Sequence, residues 1–384
     1  MFQALFLRAV LSAARSRRSV SLLMTMGALS SAACATTAGG PSGGGDAVSA
    51  MTTLPSYEPR PGRDRPVVAV IAHHRGAEVT DFVIPYGILA ASDAAEVIAV
   101  GTRAGPVPMF PALTLEPQMT TAEFDARYPD GADYLIVPAV HHPGAPELVD
   151  WLRAQAERGA TIVGVCDGVV VLARAGLLDG RRATAHWHAM GRLERRHPAT
   201  TWVRNARYLA DGSVITTSGV SASVPVSLAL VEAIAGAERA GRLASELGVV
   251  EWGPEHHSES YRLRRHIGTA AGNLARFWSR DRIGIPVENG VDELTLALTA
   301  DLWGRTYRSS AVTLASSRDP IRTRSGLRII PDRLQDERRY AKVIEVPGAR
   351  FTGSAIDRAL AEIGATYGTS TAAFVAAQIE YPWP

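Results

Sequence analysis

The chain predicts an α/β fold: a three-layer sandwich about a parallel sheet, followed by a smaller, partial and degenerate repeat of the same unit. Three observations carry this expectation. Between residues 67 and 235, short β-branched runs alternate with stretches of helical spacing, the pattern of a doubly wound sheet with both faces covered. The 384 residues, 46% hydrophobic and 20% charged, are enough for two domains with buried cores. Lastly, residues 76–117 correspond to 290–331 at a constant shift of 214: Gly76 to Gly290, Glu78 to Asp292, Pro106 to Pro320, Leu113 to Leu327 and Pro117 to Pro331. That spacing reads as an internal repeat, with chance similarity between two βαβ units as the alternative.

In chain order, residues 1–34 read as an export signal: Arg8, Arg15, Arg17 and Arg18 precede an apolar stretch at 20–28, and Ser31, Ala32 and Ala33 lead into Cys34. Residues 16–20 fit a twin-arginine signal, and the small residues before Cys34 fit a lipoprotein box. The expectation is an exported, periplasmic protein or one tethered to a membrane through lipidated Cys34. A disordered start, or a start codon upstream of the true one, leaves it cytoplasmic. Residues 35–65, glycine-rich at 39–45, read as a flexible tether.

Residues 67–72 (VVAVIA) read as a buried strand, and a helix runs to residue 91 around Pro85. Strands follow at 97–100 and 135–137, then a helix at 147–158 stopped by Gly159. The next strand, 161–165, runs directly into Cys166 and a helix at 168–175. Strands at 202–208 and 214–217 flank the hairpin signal Asp211-Gly212, and a helix at 223–235 closes the 66–236 domain. Residues 237–281 read as a helical connector with Tyr261, Leu263, Ile267, Leu274, Phe277 and Trp278 facing inward. The second unit, 282–384, has no cysteine; after a five-residue shortening, Ile136-Val137-Pro138 meets Glu345-Val346-Pro347.

Composition excludes several function classes. Forty basic against 38 acidic residues, a net charge of +2, give no excess to steer the chain to nucleic acid. The arginine pairs 264–265 and 338–339 stand beside acidic residues and read as solvated helix faces. Lys342 is the only lysine, which argues against Schiff-base chemistry and a lysine-bearing phosphate loop. Two cysteines, Cys34 and Cys166, are too few for a disulfide scaffold or a thiolate zinc cluster. Ten histidines include three adjacent pairs, which on a strand point to opposite faces and chelate poorly, so no metal site is expected.

Chemistry concentrates at Cys166-Asp167-Gly168. A nucleophile at a tight strand-to-helix turn projects above the sheet, and the helix N-terminus favours its thiolate. A buried structural cysteine is the alternative. His141 and His142 follow a strand's C-terminal end, where ligands bind in open α/β sheets, and are candidate pocket residues.

The run GVCDGVVVLARAGLLDGRRATAHW at 164–187 resembles the cysteine elbow and following helix-turn-strand of the ThiJ/PfpI superfamily. The likeness is to the branch shared by isocyanide hydratases and the ligand domains of amidase-like transcription regulators. It extends over 66–236 and includes the 81–85 opening, the 217–222 turn and the His186-Trp187 pair. The resemblance implies a flavodoxin-like sandwich, no dissociable cofactor, a small-molecule substrate or ligand, and a homodimer. By motif match it sets Asp81 against the cysteine as acid or base, with Glu78 as the competing choice; a helix-capping role is the structural alternative for either.

Three features depart from the family pattern. Asp167 stands where protease-like members have histidine, Ala139 and Val140 where a glycine pair presents an oxyanion-stabilising amide, and the repeat brings no second nucleophile. His186 reads as a packed or hydrogen-bonded residue. The first expectation is therefore a cysteine-dependent hydrolase or hydratase in which Cys166 attacks, Asp81 shuttles the proton and amides near Ala139 and Asp167 hold negative charge. The second is a ligand-binding or sensor module without turnover.

Overall fold

The computed structural model describes residues 54–261, 263–335, 339–346 and 354–383. The export signal and Cys34 lie outside these residues. The first unit is built on β1 (Val67–Ala72), α1 (Val79–Ala91), β2 (Glu96–Gly101), β3 (Val107–Phe110), β4 (Thr114–Glu116), β5 (Met119–Thr120) and α2 (Thr121–Arg127). These are followed by β6 (Tyr134–Val137), α3 (Pro146–Glu157), β7 (Thr161–Gly164), α4 (Val169–Arg174), α5 (Trp187–Arg196), β8 (Tyr208–Asp211), β9 (Val214–Thr217) and α6 (Ser223–Ala235).

Seven strands form one sheet in the order β8-β9-β7-β6-β1-β2-β5. β8 alone runs antiparallel, as the hairpin partner of β9. All six residues of β1 are buried, which is why it reads as an unbroken apolar run. β1 pairs with β2 on one side and β6 on the other, so the strand order reverses there. Loops at the C-terminal ends of strands flanking such a switch point form the usual ligand crevice. The sheet and its helices make the flavodoxin-like, three-layer sandwich.

Two expectations change here. The tether is docked from Leu54 onward: Leu54 is buried, the Tyr57 N–H bonds the Ala233 carbonyl at 2.9 Å, and Arg60 and Arg63 converge on buried Asp133 at 3.0 and 2.5 Å. A buried carboxylate recruits cations from wherever the chain supplies them. The strand expected at 202–208 is two pieces, Thr201–Trp202 and β8, because Asn205 turns left-handed between them at φ +58°.

After α7 (Ala237–Glu246) and α8 (Ile267–Leu274) come β10 (Asp281–Pro286), α9 (Glu293–Gly304), β11 (Ser309–Ala315), β12 (Ile321–Arg322), β13 (Arg328–Ile329), β14 (Arg333–Leu334), β15 (Lys342–Val343), α10 (Ser354–Tyr367) and α11 (Thr369–Gln378). The inward face expected of the connector is wrong in part. Phe277 and Trp278 are 71% and 74% exposed and Ile267 is 42% exposed, while Ala270 and Asn273 face inward on α8.

A parallel four-stranded sheet, β14-β11-β10-β15, forms the second unit. β10 occupies the residues of β1 shifted by 214, and β14 those of β5. Asp292 caps α9 by accepting the Thr295 N–H, as Glu78 caps α1 by accepting that of Asp81. The five-residue shortening is corrected: Ile283 pairs with Lys342 where Ala69 pairs with Leu135, a shift of 342 − 135 = 207, so the strand lies earlier than Glu345-Val346.

The two units meet through counterpart elements. β4 pairs antiparallel with β13, Leu115 opposite Ile329 and Glu116 opposite Arg328. Subtracting 214 turns 329 and 328 into 115 and 114, so each strand faces its own counterpart about a local two-fold. α1 packs against α9. The approach is close: a Cβ on Gly87 would lie 2.7 Å from Leu294, and one on Gly304 2.6 Å from Pro111.

Asp133→Ala is expected to free residues 54–65, exposing them to limited proteolysis, and to destabilise the fold by about 3 kcal/mol. Urea unfolding and the site of first cleavage check both effects.

Candidate active site

The site forms where β1, β6 and β7 end. Glu78, 3% exposed, opens α1 as its N-cap, Oε2 accepting the Asp81 N–H at 2.6 Å and the Thr80 hydroxyl at 2.8 Å. The capping alternative is thus the role of Glu78. Asp81 stands in the first turn and is fully buried; its Oδ2 accepts the Ala139 N–H at 3.2 Å and its Oδ1 has no partner.

β7 passes through Val165 into a short 3-10 turn, Cys166–Gly168, before α4. Cys166 is left-handed, φ +54°, a conformation that costs a non-glycine residue energy and clusters at functional sites. Its N–H donates to Thr217 Oγ1 at 3.0 Å. The next turn lies on β6 so tightly that a Cβ on Gly168 would sit 2.0 Å from the Val137 carbonyl oxygen. Only glycine fits there.

Electrostatics overturn the expected thiolate. Burial, then the carboxylates of Asp81, Asp167 and Glu78, push the Cys166 thiol well above its ordinary range, with Arg305 opposing them. α4 has only six residues, and its dipole is outweighed by three carboxylates. Burial, Glu78 and Asp301 likewise push Asp81 well up, against the Ala139 amide and Arg305. In both groups burial and neighbouring carboxylates favour the protonated form.

The other expected residues divide. Ala139's amide is spent on Asp81 and is no open oxyanion donor, and Val140 is buried beneath the same loop. Asp167 is half-buried with Oδ1 unpartnered, and its charge acts on His188. His186 is buried at the N-cap of α5, accepting the His188 N–H on Nδ1 and donating from Nε2 to the Gln378 carbonyl at 3.3 Å. His141 stacks on Phe110 at 4.1 Å and bonds the Arg75 carbonyl, while His142 is exposed.

Sequence reasoning missed Arg305, Asp301 and Glu380. Arg305 Nη2 donates to Glu78 Oε1 at 2.6 Å and its Nε to both Asp301 oxygens at 2.7 and 2.8 Å. The Asp301-Arg305 spacing is a readable helical i,i+4 pair, but nothing in it points to Glu78. Buried Glu380, left-handed at φ +57°, accepts the Trp187 N–H at 3.1 Å and bonds His256 at 2.5 Å. Burial would raise its carboxyl; His186, His256 and the Trp187 amide hold it below the usual range. Beside it lies a cavity of about 930 Å³ lined by Arg207, Ser221, His256, Tyr261, Glu380 and Trp383, with neither Cys166 nor Asp81 in its wall. Among the described residues no three His, Cys, Asp or Glu side chains gather as a metal site.

An elbow cysteine against a buried acid, on this sheet, accords with the family whose pattern matches residues 67–233. Those residues are a DJ-1/PfpI family domain. Over 147 residues the chain is 33% identical to the HTH-type transcriptional regulator CdhR of Pseudomonas aeruginosa, covering 38% of this chain and 44% of the regulator. Over 164 residues it is 29% identical to the isonitrile hydratase of Pseudomonas putida, 42% of this chain and 68% of the hydratase. The chain thus spans under half of the regulator's length. Drosophila melanogaster DJ-1beta superposes with a TM-score of 0.44 at 22% identity, covering 49% of this chain and all of that one.

Within the DJ-1/PfpI domain, the raised Asp81 gives a signed pH prediction. Its folded pKa lies above the unfolded value, so the stability it contributes is present below about pH 4 and is lost as pH rises through the folded pKa. Asp81→Asn keeps an acceptor for Ala139 and cannot ionise. Urea unfolding is expected to find it more stable than the parent at pH 7, by about 1 kcal/mol or more, and equal to it near pH 3.

Proposed function

We propose that the DJ-1/PfpI domain is a cysteine-dependent hydrolase or hydratase acting on a small molecule, with Cys166 as nucleophile and Asp81 as acid and base. The observation that carries this reading is a strained elbow thiol in the same site as a buried carboxyl with one oxygen unpartnered. A carboxylic acid is bifunctional: one oxygen gives a proton while the other receives one. Cys166 Sγ forms a bond to the electrophilic carbon, the thiol proton passes to Asp81, and the acid proton of Asp81 passes to the atom that gains the electron pair. The net change is addition of S–H to the substrate. Asp81, rather than the engaged Ala139 amide, meets the developing charge. Water then adds to the same carbon, and the C–S bond breaks to return the thiol.

The similarity to an isonitrile hydratase supports isonitriles as the first substrate class. S–H addition at an isonitrile carbon gives a thioimidate, and hydrolysis of that gives the N-substituted formamide. A second reading, a ligand-binding module without turnover, is favoured by the raised thiol, the 930 Å³ cavity and the similarity to a regulator. We also read residues 282–384 as a degenerate repeat of the first unit, and residues 1–34 as an export signal lipidated at Cys34. Incorporation of labelled palmitate into the expressed chain, lost in Cys34→Ser, is the expected outcome for the lipid anchor.

Incubation with cyclohexyl isonitrile, followed by proton NMR, is expected to show formamide, with Cys166→Ala and Asp81→Asn each slowed about 100-fold or more. No turnover, together with a Cys166 inert to iodoacetamide up to pH 10, overturns the enzyme in favour of the ligand module.

A further inference from the structure

We propose that the second unit supplies a positioning residue to the first unit's site: Arg305, through Glu78, holds the Asp81–Cys166 pair in its working geometry and charge balance. The proposal rests on the nucleophile reading above for its catalytic meaning and on geometry for its existence.

Arg305 follows the last residue of α9, in the second unit, yet its guanidinium reaches the N-cap of α1 in the first. One carboxylate joins them: Glu78 takes the Arg305 Nη2–H on Oε1 and the Asp81 N–H on Oε2. A shift of Arg305 moves Glu78, and Glu78 holds the backbone from which Asp81 projects. The arginine is itself fixed. Asp301 grips its Nε with both oxygens, and its carbonyl accepts Gln378 Nε2 at 3.1 Å from α11. The Gln378 carbonyl in turn accepts His186 Nε2, closing the path back to the first unit.

The contribution runs one way. Subtracting 214 from 305 gives Ala91, so the first unit has no arginine to return. The counterparts of Glu78 and Asp81 are Asp292 and Thr295, and the cation facing Asp292 is Arg324, of its own unit, at 3.7 Å. Arg305 thus reaches the first unit's site from the second with no reciprocal arginine at the matching position.

The charges facing the pair are Glu78 and Asp81 from the start of α1, Asp167 from the elbow, with His188 of α5 against it, and Asp301 and Arg305 from α9. Three carboxylates, Asp81, Asp167 and Glu78, act on the thiol, and the arginine opposes them. Loss of that cation makes both the thiol and Asp81 harder to ionise.

The test uses the full chain with Cys34→Ser, so that Cys166 is the reporting thiol, and measures the pH-rate profile of iodoacetamide labelling beside the ¹³C carboxyl titration of Asp81. Arg305→Met is expected to move the thiol profile up by about one pH unit or more, a tenfold loss of labelling rate at fixed pH, and Arg305→Lys to recover part of it. Asp301→Asn leaves the arginine in place and is expected to move the profile down, and it reads the proposal should Arg305→Met fail to fold. Arg324→Met, which breaks the counterpart pair, is expected to leave the profile where it is. Folded Arg305 and Asp301 variants with parental profiles and an unmoved Asp81 titration overturn the proposal. Should the parent Cys166 prove inert at every pH, the nucleophile reading fails alone, and the Asp81 titration in the Arg305 variants still decides the positioning role.

Discussion

Much of this molecule depends on how one buried guanidinium is shared. Arg305 stands between Asp301 on its own helix and Glu78 at the start of another unit's helix, all three side chains nearly sealed from solvent. Burying ions is costly unless each has a partner, and removing one member strands the rest. Asp301 shows the strain of the arrangement: burial pushes its carboxyl up to about 8 despite the arginine beside it. Arg305 and Asp301 pair within the second unit, and buried Glu78 of the first unit has the same arginine as its cation, so the shared guanidinium ties the two halves together.

That shared charge requires close backbones. α1 and α9 meet at Gly87, and α9 ends against Pro111 at Gly304, positions where a side chain would collide with the neighbouring unit. The antiparallel pairing of β4 with β13 continues the contact as a hydrogen-bonded ladder. A face made of counterpart elements about a local two-fold is what a homodimer presents; here both halves lie on one chain.

At the far side of the elbow the second unit acts again. α11 lays the Gln378 carbonyl on His186, and Glu380 turns left-handed to put its carboxylate on Trp187 N–H and His256. Ser221, from the turn after β9, bonds the backbone of Ile379 and Glu380. Elbow, helix cap and β9 turn are thus each held by residues far away in sequence. The cavity beside Glu380 opens between the same segments and gives a ligand-binding reading a physical place.

The sequence by itself determined the sheet, because a β-branched run buried on both faces, such as residues 67–72, has few other ways to exclude water. It determined the elbow, since a cysteine between a strand and Gly168 leaves the chain little choice but a tight turn, and it showed the 214-residue correspondence. It misjudged what depends on company. Residues 54–65 look like tether until Asp133 is seen waiting for their arginines, and Phe277 and Trp278 look like core until the short 3-10 turn that carries them is seen to bury none of its residues. The protonation of the site was beyond local reading for the same reason. The helix end at the elbow favours a thiolate, whereas burial, the carboxylates of Asp81 and Glu78 brought in by folding and the adjacent Asp167 act against it. Charge acts through space and local pattern acts along the chain, so the tertiary structure decided which way the buried groups shift and which unit supplies the arginine.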